Sequence, residues 1–373
     1  MVGVLCMWAQ LGCGDDGETS DTGQEAGTDA GDETAEPTSG TVGETESPET
    51  TASNDTDETG TNEPEPTGGL DLDPLDGQWT ERAPLLGGPR QEVAVVVAGG
   101  RMWMLGGLVG SETLSRVEAY DPAADVWEAQ PDLPVPMHHP NAATVEDRIV
   151  VAGFLRGTEF FADGNVFVFD LDRGVWDLGT RMPEGTERGA AATVALDGLV
   201  YVFGGRREGN SVGDAHTYDV DAQVWSPIAD LPEPRDHMVV GAIDGRIYVV
   251  GGRDGSNIGD HTDRVDVYDP STDSWSAAAP MPTSRGGMAA GVLGGLLFVA
   301  GGEGNAAVAS GVFDEVEVYD PVADAWTAIA PMPAPRHGTG GVVIDGVFFV
   351  PGGADVEGGG AIDVHEAWVP RRD

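Results

Sequence analysis

The sequence predicts an all-β chain whose folded part is a closed ring of six small four-stranded sheets, and three observations carry that reading. Tryptophans recur at Trp79, Trp127, Trp176, Trp225, Trp275 and Trp326, in steps of 48 to 51 residues. Glycine pairs recur with them, at Gly106-Gly107, Gly204-Gly205, Gly251-Gly252, Gly301-Gly302 and Gly352-Gly353, with Gly153-Phe154 filling the second slot. Each period also holds four short apolar runs separated by turn residues, the pattern of an antiparallel sheet too small to bury its own faces.

Residues 235–275 show the unit plainly. Arg235 leads an apolar run that turns at Asp244-Gly245, a two-residue hairpin signal requiring positive φ. The return run Ile247-Tyr248-Val249-Val250 ends at Gly251-Gly252. A polar loop leads to Val265-Asp266-Val267-Tyr268-Asp269, and Trp275 marks the fourth run. An aromatic stands seven residues before each later tryptophan, at Tyr120, Phe169, Tyr218, Tyr268 and Tyr319. An arginine lies 17 residues before the second glycine of each pair, at Arg90, Arg188, Arg235, Arg285 and Arg336, and Met137 takes that place in the odd copy. A period near 50 with Gly-Gly, Tyr-Asp and Trp at fixed offsets resembles the kelch repeat over residues 79–370. The resemblance implies a six-bladed kelch-type β-propeller. It implies little about function, because propellers of this kind serve many roles.

Closure follows from the two ends of the repeat. The last copy reads His365-Glu366-Ala367-Trp368-Val369-Pro370, which places Trp368 in the tyrosine slot and stops before an outer strand. Trp79 is an outer-strand tryptophan with no blade ahead of it. A strand over residues 78–83 is therefore expected to complete the last blade, since an open ring would leave exposed edges.

Composition divides the rest. Residues 14–78 hold 20 Asp and Glu with no Arg, Lys or aromatic residue, so they cannot bury enough apolar surface to offset their ordering entropy. The expected organisation is a signal-like segment over 1–13, a disordered acidic Thr/Gly/Glu/Asp-rich linker over 14–75, and the propeller over 76–373. The first segment is too short to span a membrane but suits the apolar core of a signal peptide. Its end, Leu11-Gly12-Cys13 followed by polar sequence, resembles a bacterial lipoprotein signal, which implies lipidation at Cys13 and a cell-envelope location, lipid-anchored or secreted. Gln10 and the absence of a positive n-region depart from that pattern. Cys6 and Cys13 are the only cysteines, so residues 76–373 have neither a disulfide framework nor a thiolate.

The loops between second and third strands, 108–116, 155–165, 206–215, 253–264, 303–315 and 354–363, are longer and more polar than the inner hairpin turns. Binding residues collect on such loops over a rigid scaffold, so the site is expected on that face, at the mouth of the central channel. The arginine positions are expected to open onto it, with Arg90, Arg188, Arg235, Arg285 and Arg336 forming a positive funnel whose planar forks suit carboxylate, phosphate or sulfate. The competing reading is that each bonds carbonyls or an acid within the scaffold. Glu92, His138, His139, His237 and His337 complete the expected lining. Histidines facing the channel from blades 2, 4 and 6 could coordinate a metal, but alternate blades lie on opposite sides of the pore, so polar lining is expected and no metal is assigned. Asp254, Asn257, Asp260 and Asp263 lack the spacing and closing Glu of a calcium loop and are expected to be solvated.

Catalytic signatures such as Gly-x-Ser-x-Gly, a phosphate loop or His-Glu-x-x-His are absent. One enzyme reading comes by resemblance to six-bladed kelch sugar mutarotases, including those acting on sialic acid, with Glu92 as base and His139 or His237 as acid. Residues 79–373 carry 44 acids against 19 arginines, a net charge of −25 that would repel a nucleic-acid backbone. The expected function is recognition of a protein segment or glycan, an anionic one suiting the arginines, by a cofactor-free monomer.

Overall fold

The computed structural model describes residues 72–255 and 259–372. The signal-like segment with Cys13, the acidic linker up to residue 71, and Asn257 lie outside the described residues. All the regular elements described are β-strands. Six four-stranded antiparallel sheets form, one per repeat.

Blade 1 runs from the inner strand Ala94–Ala98 through Arg101–Leu105 and Val117–Asp121 to the outer strand Val126–Gln130. Blades 3, 4 and 5 repeat that order, with inner strands Ala192–Leu196, Val239–Ile243 and Ala289–Leu293. The inner strands contact their neighbours in a cycle that returns from blade 6 to blade 1. Five of the six inner hairpins turn on pairs with positive φ at both residues, 49° and 74° at Asp244-Gly245, as the right-handed twist of the flanking strands favours, and in blade 2 only Glu146 of Glu146-Asp147 is positive.

Blade 6 is completed by the N-terminal strand. Leu72–Glu81 pairs antiparallel with His365–Arg372, setting Trp79 opposite Trp368. The strand starts at Leu72, inside the segment assigned to the linker, because Leu75 packs into the core between blades 5 and 6 and the Pro74 carbonyl accepts from Trp368 Nε1 at 2.9 Å.

The repeated tryptophans tie each blade to the one before it. Trp127, Trp176, Trp225, Trp275 and Trp326 donate their indole N–H to Ala83, Pro131, Thr180, Ala229 and Ala279, all at 2.9–3.0 Å. Trp79 makes the sixth tie, to Ala330 at 2.9 Å. Each indole thus covers apolar surface while its one donor is satisfied.

Blade 2 departs from the rest. Its second and third strands, Arg148–Arg156 and Phe161–Asp170, extend into one long hairpin instead of breaking at a glycine pair. Its tip, Gly157 to Phe160, reaches over the channel. Met137 and Phe154, in the arginine and second-glycine slots, pack in one apolar cluster with Phe167.

Candidate functional site

The repeated arginines do not form the site. Arg90, Arg188, Arg235, Arg285 and Arg336 are at most 1% exposed, and each is held inside its own blade. Arg90 donates to the Glu118 carboxylate at 2.9 Å and to the Arg116 carbonyl at 2.9 Å. Arg235 pairs with Asp266 and Arg285 with Glu317, each at 2.6 Å, and Arg336 pairs with Glu366. Arg188, whose blade offers His216 in place of the acid, donates to the carbonyls of Gly204, Thr186 and Val202 at 2.7–3.0 Å. Burial pulls the guanidinium pKa of Arg90, Arg188 and Arg336 down to about 10. The expected positive funnel is therefore corrected: four of these guanidiniums bond backbone carbonyls of their own blade, Arg235 bonds its acid, and none is exposed to the channel. In blade 2 the Met137–Phe167 pair occupies the slots of the arginine and its acid. A buried ion pair can be replaced in this way by packed apolar groups of similar volume.

The site is built two residues further along each repeat. Glu92, His139, Ala190, His237, Gly287 and Gly338 occupy equivalent positions, all with φ between 50° and 66°. Each donates its backbone N–H to the carbonyl of its counterpart in the preceding blade. His139 donates to Glu92 at 2.8 Å, Ala190 to His139 at 3.0 Å, His237 to Ala190 at 3.0 Å, Gly287 to His237 and Gly338 to Gly287 at 2.9 Å, and Glu92 to Gly338 at 2.5 Å. This circle of six hydrogen bonds closes on itself and narrows the channel. Side chains from non-adjacent blades consequently meet, and the expectation that alternate blades stand too far apart is corrected.

Four of the six positions place a side chain on left-handed backbone, at a cost on the order of 1–3 kcal/mol each. The other two are glycines, which leaves room: a Cβ on Gly338 would lie 2.8 Å from Glu92 Oε1. Glu92 Oε2 stands 2.9 Å from His139 Nε2 and 3.9 Å from His237 Nε2. His337, one residue earlier in its repeat, brings Nδ1 to 3.8 Å from Glu92 Oε1 and 3.3 Å from Glu303 Oε2. Burial would raise the Glu92 pKa, but His139, His237 and His337 hold it well below the ordinary carboxylate range. His138 lies behind His139, their Nδ1 atoms 2.6 Å apart, and its Nε2 donates to the Gly157 carbonyl at 3.0 Å. Burial, helped by neighbouring His139, lowers the His138 pKa to about 4.

A cavity of about 510 Å³ lies above this ring, lined by Glu92, His139 and His237 together with loop residues of several blades. Gly157 to Phe160 of the blade 2 hairpin form one wall, and the Phe160 ring lies 4.7 Å from the His138 ring. Arg206, Arg253 and Glu303 form another. Arg253 bridges Asp236 at 3.3 Å and Glu303 at 3.2 Å, and Arg206 reaches Asp236 at 3.3 Å. On the far side of the ring, a cavity of about 170 Å³ is lined mainly by small apolar residues such as Ala94, Ala192 and Val239.

Of the residues read from the sequence, the structure thus gathers Glu92, His139, His237 and His337 at one point, sets His138 behind them and removes the five arginines. Arg206, Arg253, Glu303, Asp236 and Phe160 were missed. A signal existed for three of them: Arg206, Arg253 and Glu303 each follow a glycine pair, where blades 1 and 6 have Leu108 and Ala354. These positions bridge back to the residue after the arginine of each repeat, as Arg253 does to Asp236.

Comparison with known proteins agrees with this architecture. Residues 142–353 match the family model described as the KLHDC2/KLHL20/DRC7 Kelch-repeats domain, and residues 89–134 match the Kelch motif. The chain is 34% identical to Kelch-like protein terF of Aspergillus terreus, over 80% of this chain and 69% of that protein. It is 26% identical to human Kelch-like protein 23, over 75% of this chain but 47% of the other. The solved structure of YjhT shares the fold with a TM-score of 0.63 at 16% identity, covering 76% of this chain and 95% of that one. The chain belongs to the kelch-repeat family and is a six-bladed propeller. The chain spans less than half the length of the animal relatives it matches.

Proposed function

We propose that this propeller is a recognition module that receives a polar protein segment or a glycan at the mouth of its channel. The observation that carries this reading is the cavity of about 510 Å³, within the size range of ligand pockets, where charged groups from several blades and the Phe160 ring converge. An anionic ligand loses its support. The arginines that suggested it are internal, and the mouth pairs Arg206 and Arg253 with acids while Glu92, Glu159 and Glu303 also line it. A neutral or cationic polar group suits this balance better.

The test is a binding screen of the full chain against glycan and peptide arrays. Saturable binding that weakens at least tenfold in Phe160→Ala and Arg206→Ala is expected. Binding that survives both changes would move the site elsewhere. Fatty-acid labelling that depends on Cys13 would support the envelope-anchored reading, and its absence would remove the lipid anchor.

A second reading rests on the 2.9 Å approach of Glu92 to His139, a carboxylate and an imidazole placed to exchange a proton with a bound sugar, as in sugar mutarotases. Accelerated anomer exchange of a reducing sugar, followed by NMR and lost in Glu92→Gln, would support it. Binding without exchange would retire it.

A further inference from the structure

The hydrogen-bond partners around the ring turn two imidazole nitrogens toward one carboxylate. The Gly157 carbonyl can only accept, so His138 donates from Nε2 and turns Nδ1 to His139 Nδ1, 2.6 Å away. That contact leaves His139 Nε2 facing Glu92 Oε2 at 2.9 Å. His237 Nδ1 lies 2.5 Å from the Asp236 carboxylate and donates there, so its Nε2 is turned to the same point. His237 is 8% exposed, and its Nε2 has no hydrogen-bond partner among the described residues. Glu92, His139 and His237 thus offer three ligand atoms all within 4.8 Å of one another, one of them a buried nitrogen without a partner.

We propose that Glu92 Oε2, His139 Nε2 and His237 Nε2 bind a divalent first-row transition metal ion at the floor of the mouth cavity. The donor set is the two-histidine, one-carboxylate type, which suits ions such as Zn²⁺, Co²⁺ or Fe²⁺ and leaves coordination positions open. An ion held by the three would sit at the usual ~2.0–2.2 Å from each. The supporting shell is already in place. Asp236 orients His237 as carboxylates commonly orient metal-bound histidines, His138 orients His139, and Arg253 fixes Asp236. His337 Nδ1 and Glu303 Oε2, which also have no hydrogen-bond partners among the described residues, stand beside the three as further donors. The site does not depend on the recognition reading, because the metal is detected directly.

The experiment titrates chelator-treated full-length protein with Co²⁺, following ligand-field absorption and, by calorimetry in buffers of different ionisation enthalpy, proton release. One ion per chain, with release of protons on binding, is expected. Glu92→Gln and His237→Gly should weaken binding at least tenfold, and Asp236→Asn, which removes only the support, by 10- to 100-fold. Glycine is the residue that blades 5 and 6 use at the His237 position, so His237→Gly is expected to keep its melting temperature. Absence of saturable binding, leaving a proton as the only bridge, would overturn the proposal. Binding equal in wild type and His237→Gly would also overturn it, by assigning the ion to the acidic N-terminal residues.

Discussion

Two sets of residues, two positions apart in the repeat, have opposite fates. The arginine set recurs in five of six blades, is buried, and is paired within each blade. The set containing Glu92, His139 and His237 differs from blade to blade, lies on left-handed backbone, and lines the cavity at the channel mouth. A group that repeats with the blade solves a problem that every blade shares. Only the groups that differ from blade to blade can answer to something outside the fold.

The comparison can be broken most severely at the first set. Arg235→Ala empties a buried slot and leaves Asp266 with Arg264, 3.0 Å away, as its remaining partner, and should cost about 3 kcal/mol in urea unfolding. Arg235→Met combined with Asp266→Phe, which copies Met137 and Phe167 of blade 2, should recover most of that loss. Wild-type stability in Arg235→Ala would mean that the buried pairs do not support the scaffold.

Acid should expose the next largest difference. His365 is buried in blade 6 with Nδ1 3.1 Å from the Ala83 carbonyl, and burial lowers its pKa from 6.5 to about 3. Below pH 6.5 the unfolded chain binds the proton and the folded chain does not, so stability falls as pH drops and levels off only near pH 3. From pH 7 to 4.5 this one group should cost about 2–3 kcal/mol. Melting curves of His365→Asn, which keeps a donor but does not titrate, should show a flatter pH dependence.

Smaller effects should mark the second set. Gly338→Ala puts an alanine at φ 64° and a Cβ 2.8 Å from the Glu92 carboxylate, with an expected loss of about 1–2 kcal/mol. His139→Gly relieves left-handed strain and should change stability by less than about 1 kcal/mol, while removing a wall of the cavity. If His139→Gly destabilised the chain as much as Arg235→Ala, the division between scaffold and site would fail.

Spacing alone made the six blades, the closing strand and Trp368 in the tyrosine slot legible, because a propeller repeats the same contacts at the same separations. Glu92, His139 and His237 were also marked in the sequence, as departures within a repeated column. The arginines were misread for a matching reason. Guanidinium chemistry suggests an anion site wherever cations cluster, and periodicity gives no sign of whether a side chain turns inward to a carbonyl or outward to the pore. Phe160 carried no signal, since its place above the ring depends on how far the blade 2 hairpin extends.

The all-β repeat, its number and its closure follow from local strand and turn chemistry copied six times, and so they can be read along the chain. Which residues form the site depends on the closed ring. The circle of backbone hydrogen bonds that brings Glu92, His139 and His237 within 4.8 Å joins residues 47 to 246 positions apart, and it exists only once all six blades are closed.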